Sequence, residues 1–485
     1  MRMVYGITIV VLLSLAGEAG AAALDPAPRQ SGEILHLRLL TRLSSRQARP
    51  GVPFSAFVTR PLLLHDEAAV PVGTRLEGSV AAARQVGLGF QHERARIALD
   101  FHRLIFPDGA IVPLHASLAG VDNAREEVDA AGRIRGIRST HSLGDRMNVR
   151  LGGFRLTTLP IAYRSLVASY PLEFLPLWFA NAMIFGLTDP EIEFPAGSEF
   201  QIRLREPWPY AERFPVYRGE RPERLRTDPA LTALVESLPA LSRFEKSGLE
   251  ADPVNVVLVG SPAAAFRAAG WKGADERRRG SCFRAMRAIA TEAPYGTGPM
   301  NTLLLQDRRP DGEWQKGLNT YNKRHHLRAW AAHELWDGDP LWLLAATHDI
   351  GLNVRGGALT HEIDQRIDRE REKVVADLLL TGCVDAVTYV HRPIAGRRLW
   401  VTDGRVAVVR LNVCASPVRW DSDFEPDDGP AAPRSLVWRM LQRISLNARN
   451  TLLRENHAYR AYDLVRHLVM WRRLNRGTAG AADTN

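Results

Sequence analysis

Short runs of alternating apolar and polar residues fill the first part of the chain. Such alternation has the period of a half-buried β-strand. It predicts strands at 35–40, 54–64, 76–81, 97–106 and 111–116. Glycine and proline separate these runs, as in the turn sequence P-D-G at 107–109. The pattern therefore predicts a β-rich domain over residues 32–205.

A long apolar and aromatic segment at 161–187 interrupts that domain. Pro171 and Pro176 break it, so no uninterrupted run reaches the roughly 20 residues that a membrane-spanning helix needs. Two alternatives stay open, a buried helical insert and a hairpin that contacts a membrane.

The next stretch, 206–251, is rich in proline, arginine and glutamate. We interpret it as a linker that contains one short helical run.

From residue 252 onward, continuous apolar runs alternate with segments of helical period. The run 254–259 predicts a buried strand, followed by a turn and a helix at 263–271. This start excludes a phosphate-binding loop, because no lysine follows its single glycine. Further strands are predicted at 302–306, 383–390, 399–402 and 406–411, with Asp403 and Gly404 as a hairpin turn. The pattern predicts a mixed α/β domain over residues 252–413.

The centre of that domain contains a strand-like run of basic residues, N-K-R-H-H-L-R-A-W at 322–330. Alternation places Arg324, His326 and Arg328 on one face, and His325 on the other. Two guanidinium groups that flank an imidazole could bind an anion such as phosphate. A basic edge strand that resists aggregation is the alternative interpretation.

Two further pieces carry candidate chemistry. The apolar run 342–352 predicts a buried strand that presents His348 and Asp349 at its end. The segment 360–380 has helical period, and His361, Asp364, Asp368 and Glu372 would form one stripe along that helix. An imidazole and carboxylates in one row suit a divalent metal, or a histidine base oriented by a carboxylate. A solvated face of ion pairs would give the same pattern.

Charge and cysteine content narrow the classes of partner and compartment. The 485 residues carry a formal net charge of +9, which favours an acidic partner such as anionic lipid or an envelope polymer. Nucleic acid is disfavoured, because the chain contains none of the recognised nucleic-acid-binding motifs. Cys282, Cys383 and Cys414 lack the spacing of a thiolate zinc site. One disulfide could form among them, and the sequence does not select the pair.

The two ends of the chain point to the cell envelope. Residues 1–23 have the charged start, short apolar core and small-residue cleavage site of a secretory signal peptide. An acidic, proline-rich spacer precedes residues 434–476, which predict a basic helical tail. Such a tail could bind an anionic membrane surface, or dock on the domain with its arginines outward. We therefore expect a periplasmic or envelope protein that associates with membranes.

The runs V-N-V-V-L-V-G-S, A-A-G-W, N-K-R-H-H-L-R-A-W, A-T-H-D and T-H-E-I-D-Q-R-I-D-R-E-R resemble the LssY C-terminal domain family over about residues 252–412. That family occurs in bacterial envelope proteins, sometimes joined to membrane phosphatase domains of the phosphatidic-acid type. The resemblance implies a domain, an envelope location and a hint of phosphate-ester chemistry. In the first domain, P-V-G-T-R-L-E-G and F-P-D-G-A-I-V-P-L resemble the β-barrel part of TrbI-like conjugation proteins.

The sequence predicts an α+β protein with a barrel-like N-terminal domain, an α/β C-terminal domain and a basic helical tail. Its predicted function is a hydrolase, with or without a divalent metal, acting on a phosphate ester or another anionic envelope substrate. A non-enzymatic envelope binding or scaffolding protein is the alternative, with the same residues in a buried ion-pair network. The site assignments are His348, Asp349 and His326 as catalytic residues, Arg324 and Arg328 for the substrate, and His361, Asp364 and Asp368 for the metal.

Overall fold

A computed structural model describes most of the two predicted domains. The described residues are 32–64, 67–89, 92, 94–137, 150–151, 154–155, 189–206, 223–224, 229–355, 358–393, 400–414 and 435–449. The signal peptide at 1–23, the apolar insert at 161–187 and the tail beyond residue 449 lie outside them. Within these residues, no helix is both long and apolar enough to cross a membrane.

The N-terminal domain consists of short strands, and its main sheet is nearly closed into a barrel. The strands up to residue 204 are β1 (Ile34–Leu39), β2 (Leu43–Ser44), β3 (Pro53–Val58), β4 (Leu62–Leu64), β5 (Glu67–Val70), β6 (Arg75–Arg84), β7 (Arg96–Ile105), β8 (Ile111–Pro113), β9 (Ala116–Val121), β10 (Glu127–Val128), β11 (Ile134–Arg135), β12 (Arg150–Leu151), β13 (Phe154–Arg155), β14 (Glu193–Phe194) and β15 (Glu199–Leu204). The sheet order is β10-β11-β7-β6-β3-β1-β15-β9, and its two end strands contact each other.

Alternation along the barrel strands builds the first hydrophobic core. In β1, Leu35, Leu37 and Leu39 are buried while the residues between them are partly exposed. The same inward faces of β6, β7 and β15 complete this core. The prediction of a β-rich, barrel-like domain is confirmed, because its strands bury every second residue as the sequence pattern requires.

The C-terminal domain is a mixed sheet with helices packed on it. Its elements are β16 (Glu223–Arg224), α1 (Pro229–Ser237), β17 (Leu241–Phe244), β18 (Glu250–Pro253), β19 (Val256–Val259), α2 (Pro262–Ala268), β20 (Lys272–Gly273), α3 (Arg279–Thr291), β21 (Leu303–Leu304), β22 (Gly312–Lys316), β23 (Arg324–Trp336), β24 (Asp339–Arg355), β25 (Ala358–Ile363), α4 (Ile367–Leu380), β26 (Val384–His391) and β27 (Arg405–Leu411). The sheet order is β16-β26-β27-β19-β24-β23-β22-β20, with β25 paired to β24. One core lies under α2 and α4, and a second lies under α1.

The predicted single helix at 360–380 is wrong in its first part. Residues up to Ile363 form β25, which pairs with β24 and places His361 opposite Leu352. The reason is that β24 is 17 residues long, and its far half offers hydrogen-bonding groups that β25 pairs with. The helix α4 begins only at Ile367. His361 is therefore a strand residue, and it does not share a helix face with Asp368.

Three smaller expectations also change. His348 and Asp349 lie inside β24 and not at its end, because the strand continues to Arg355. Residues 400–402 form no strand, and β27 pairs with β26 instead. The predicted linker is structured in its second half, since Leu231 and Val235 of α1 are buried in the core against the sheet. The C-terminal domain therefore begins before residue 252.

A last helix, α5 (Leu436–Arg449), packs against the barrel. Leu446 is buried in the barrel core, and the side chain of Gln442 donates a hydrogen bond to the carbonyl of Gly87. The start of the predicted basic tail therefore packs one side of a helix on the barrel, and its binding to a membrane surface stays a prediction. Its opposite side exposes large apolar side chains.

Cys383 and Cys414 form a disulfide, and Cys282 is free. The bond closes a segment of 31 residues between α4 and the end of β27.

We expect Cys383→Ser to lower the free energy of unfolding by about 2–4 kcal/mol, because the cross-link restricts the unfolded chain. Urea unfolding with and without a reductant measures this. Cys282→Ser is the control and should have little effect; an equal loss in both variants would contradict the assignment.

Candidate functional site

The pairing of β23 with β24 decides where the charged side chains of the central stretch point. The register pairs are Arg324 with Asp349, His325 with His348, and His326 with Thr347. Directly opposed residues of an antiparallel pair point to the same face, and successive pairs alternate. The first and third pairs therefore share one face of the sheet, and the middle pair lies on the other.

The first face forms the floor of a cleft of about 790 Å³, which β18, β25 and the segment around Val401 help to line. Most of the predicted site residues line this cleft, although they come from separate strands. They are Arg324, His326, Arg328, Asp349, His361 and Asp364. The hypothesis that the central pieces meet in one place is thus supported by the geometry for these six residues.

The two cleft arginines are already bonded to carboxylates and backbone carbonyls. Arg328 donates to Asp252 at 2.8 Å and to the carbonyl of Asn301 at 2.9 Å. Arg324 donates to Asp349 at 3.1 Å, and its other bonds go to a glutamine side chain and a glycine carbonyl. Because these N–H groups are already bonded, the arginines do not offer them to a ligand. Their positive charges instead offset the carboxylates of Asp349 and Asp252.

His326 is buried and has one bonded ring nitrogen. Its Nε2 lies 2.9 Å from the hydroxyl of Thr347, and that hydroxyl lies 3.3 Å from a carboxylate oxygen of Asp252. Since the hydroxyl donates to the carboxylate, Nε2 of His326 carries the proton and donates to Thr347. Nδ1 then presents a lone pair, 3.5 Å from Asp349, and has no hydrogen-bond partner among the described residues.

His361 repeats this arrangement from the neighbouring strand. Its ring bonds to the backbone carbonyl of Asn322, while Nδ1 has no hydrogen-bond partner within the described part of the chain. That Nδ1 lies 3.6 Å from the same carboxylate oxygen of Asp349. By elimination the proton is on Nε2. Two imidazole lone pairs therefore face one carboxylate in the cleft, with Tyr321 packed edge-on against His361.

Burial sets the protonation of these groups. It lowers the pKa of His326 to about 3 and also lowers the pKa of His361, because a buried imidazolium loses its hydration. Burial works against ionisation of Asp349, yet charge interactions with His326, His361 and Arg324 lower its pKa to about 2. The two histidines contribute only when they are protonated, so near neutral pH the guanidinium of Arg324 at 3.1 Å favours the ionised form. Near neutral pH the cleft therefore holds two neutral imidazoles beside a charged carboxylate.

His348 and Asp368 do not reach the cleft. His348 points to the opposite face, where its ring stacks on His325 at 4.3 Å. Asp368 accepts hydrogen bonds from the hydroxyl of Thr402 and the backbone of Asp403, and it thereby closes the loop before β27. The predicted metal set of His361, Asp364 and Asp368 is not brought together. Asp368 lies in the first turn of α4, where its carboxylate bonds to Thr402 and Asp403, and it does not line the cleft.

The opposite face of the same strands holds the junction between the two domains. His325 bonds to Glu370 of α4 at 2.7 Å and to Asp122 of the barrel at 2.9 Å. Glu199 of β15 accepts ion pairs from Lys316 at 3.0 Å and Lys373 at 2.8 Å. Buried, compensated charges therefore join the barrel to the α/β domain.

Sequence reasoning missed the residues that support the cleft. Asp252 lies in the short strand β18, and Thr347 directly precedes His348; neither position carried a periodic signal in the sequence. Asp122 and Asn123 lie in the turn after β9, about 200 residues from the histidines they contact. Only the folded chain brings these pieces together.

One comparison with known proteins identifies part of the chain. Residues 235–406 match the family model described as LssY C-terminus. The matched region includes every cleft residue discussed above, and it begins within α1. No curated protein sequence matches the chain. The TrbI-like resemblance of the barrel stays a prediction.

We expect Arg328→Leu to lower the free energy of unfolding by about 3–5 kcal/mol, because it leaves Asp252 buried without its charge partner. Removing both charges, as Arg328→Leu with Asp252→Asn, should recover much of the loss. Chemical denaturation measures both variants. The control is Arg243→Leu, whose exposed pair with Asp307 should contribute only about 0–1 kcal/mol. Equal losses for the buried and exposed pairs would contradict the buried network.

Proposed function

We propose that the cleft of the region that matches the LssY C-terminus model, residues 235–406, hydrolyses a phosphate ester or another anionic component of the cell envelope. One observation carries the proposal. His326 and His361 each turn an unbonded Nδ1 toward Asp349 in an open cleft. Buried polar atoms without partners are costly, by about 1–3 kcal/mol each, and they mark places where a ligand completes the bonding.

His361 is the general base of the proposed reaction. Its neutral Nδ1 can accept a proton from a water molecule as that water attacks the substrate. Asp349, 3.6 Å from this nitrogen, stabilises the imidazolium that forms. His361 is the more accessible of the two histidines, with 16% of its side chain exposed against 5% for His326. It is therefore the one placed to meet a substrate.

The other cleft residues position this base and balance charge. The chain from His326 through Thr347 to Asp252 fixes the tautomer of His326 and holds its Nδ1 toward Asp349. Arg324 and Arg328 each pair with a buried carboxylate, Asp349 and Asp252, and so offset two negative charges beside the site where an anion would bind. Because their donors are engaged, they do not provide a bidentate contact.

The pairing of both arginines favours one other candidate, a non-enzymatic binding or scaffolding role. In a purely structural network every buried polar group is paired, and Arg324 and Arg328 are paired in this way. The Nδ1 atoms of His326 and His361 have no hydrogen-bond partner among the described residues. The two functions are separated by activity, since only the hydrolase requires His361 to be a base.

Full-length protein should hydrolyse at least one member of a panel of phosphate esters, including phosphatidic acid and p-nitrophenyl phosphate. The panel should be run with added divalent cations and with a chelator. We expect His361→Gln to lower kcat/KM by about 10²–10⁴, the usual contribution of a general base. His333→Gln is the control, because His333 lies on β23 outside the residues that line the cleft and is exposed. Absence of hydrolysis, or full activity in His361→Gln, would favour the scaffolding role.

The pH dependence of that activity follows from the lowered pKa of His361. Burial favours the neutral form, so the base stays active below the ordinary imidazole pKa of 6.5. We expect kcat/KM to stay level as the pH falls through 6.5 and to drop only in more acidic buffer. A profile of kcat/KM against pH tests this. An acid limb centred above pH 6.5 would contradict a buried neutral base.

The helix α5 supports a second part of the proposal, attachment to an anionic membrane surface in the periplasm or cell envelope. Its outward side exposes Val437, Met440, Leu441 and Ile444, at the spacing of one helix face. No acidic residue interrupts Leu436–Arg449. An apolar stripe on a helix without negative charge matches the interface of an anionic bilayer.

Vesicle co-sedimentation tests this attachment. We expect the full chain to bind vesicles that contain phosphatidylglycerol, and to release them as salt screens the charges. Met440→Ser with Ile444→Ser should weaken binding by about tenfold, since each loses buried apolar area. The matched control is Ile111→Ser, an equally exposed residue of the barrel. Equal binding to neutral vesicles, or no effect of the α5 changes, would contradict the assignment.

A further inference from the structure

A second cluster of metal-ligating side chains lies on the face of the sheet opposite to the cleft. It consists of Asp122, His325 and His348, and one ligand atom of each lies within 4.8 Å of the others. The two histidines are direct partners across β23 and β24, and their rings stack with centroids 4.3 Å apart. Asp122 comes from the barrel, directly after β9. The cluster therefore bridges the two domains.

We propose that Asp122, His325 and His348 bind a divalent transition-metal ion of the zinc class at the junction of the barrel and the LssY C-terminal domain. Two imidazoles and one carboxylate are a ligand set that such ions accept, with a fourth position left for water or another oxygen. Asn123 is placed to supply that oxygen, because its Oδ1 lies 2.8 Å from Nε2 of His348.

The surroundings of His325 support ligation through its Nε2. Its Nδ1 bonds to Glu370 at 2.7 Å, so a carboxylate orients the ring and directs Nε2 toward Asp122. Metal-ligating histidines are commonly held by a carboxylate in this way. In the metal-free protein, Nε2 donates its proton to Asp122. On binding, Nε2 of His325 releases that proton to solvent and bonds to the ion, and His348, whose Nε2 donates to Asn123 Oδ1 in the metal-free protein, ligates as the tautomer with its proton on Nδ1.

The local charge also permits a divalent cation. Asp122 and Glu370 place two carboxylates on either side of the His325 ring. Lys373, whose charge also acts on Asp122, is already paired with Asp377 at 2.7 Å and with Glu199 at 2.8 Å. Its charge is therefore compensated within the junction. An ion with two positive charges would balance the two carboxylates beside His325.

The ion would clamp the two domains, and this role is separate from hydrolysis. His325 and His348 lie on the sheet face away from His326 and His361. A ligand that binds only the folded, docked arrangement stabilises it in proportion to its affinity. The expected signature is therefore a higher melting temperature of the full chain in the presence of the metal.

The test titrates metal-stripped, full-length protein with Co²⁺, followed by visible absorbance, and then with Zn²⁺ in competition. One ion should bind per chain, and the melting temperature should rise by several degrees, as roughly 100-fold saturation over the dissociation constant gives about 2.7 kcal/mol. His348→Phe keeps a ring stacked on His325 but removes a ligand, so it should abolish the absorbance. Asp122→Asn should weaken binding by about tenfold or more.

Two further variants make the outcome decisive. His361→Gln alters the cleft and should bind the metal as wild type does, so failure of the hydrolase proposal leaves this one intact. If His348→Phe does not fold, Glu370→Gln takes its place, and its affinity should fall by about 10–100-fold. Absence of Co²⁺ and Zn²⁺ binding to the folded protein, or binding that none of these junction changes weakens, would overturn the site.

Discussion

The antiparallel pairing of β23 with β24 is the constraint on which both candidate sites depend. Its register fixes which charged side chains face the cleft and which face the barrel. Because the side-chain period of a strand is two, a shift of one residue would exchange His325 with His326 and reverse both faces. The adjacent histidines at these positions therefore have different environments: one lies in the cleft, and the other joins the two domains.

Compensation of buried charge connects these sites to the stability of the fold. On the cleft side, Asp252 and Asp349 pair with arginines. On the junction side, Glu199 and Asp377 pair with lysines of β22 and α4. An unpaired charge in either place would cost several kcal/mol, so these groups stay fixed. Against that background, the unbonded Nδ1 atoms of the two cleft histidines are two buried polar groups that structural pairing does not account for.

The sequence predicted local pattern well and distant contacts poorly. Alternation was sufficient to assign the buried face of β1 and to separate the two faces of β23, because strand period is a local property. The prediction of a helix through His361 was wrong. A short apolar pattern does not distinguish a helix from a strand, and here the long strand β24 pairs with these residues as β25. Asp122 and Asp252 could not be found from the sequence, because their roles arise only from contacts across the fold. The pairing of Cys383 with Cys414 was likewise left open by spacing alone.

Histidine-selective ¹⁵N NMR at neutral pH tests the central claim about the cleft most directly. The account predicts that His326 and His361 are both neutral, with the proton on Nε2 and an unprotonated Nδ1. Spectra of the His326→Gln and His361→Gln variants would assign the two signals by their loss. A cationic ring at either position, or a proton on Nδ1, would contradict the account, since no lone pair would then face Asp349.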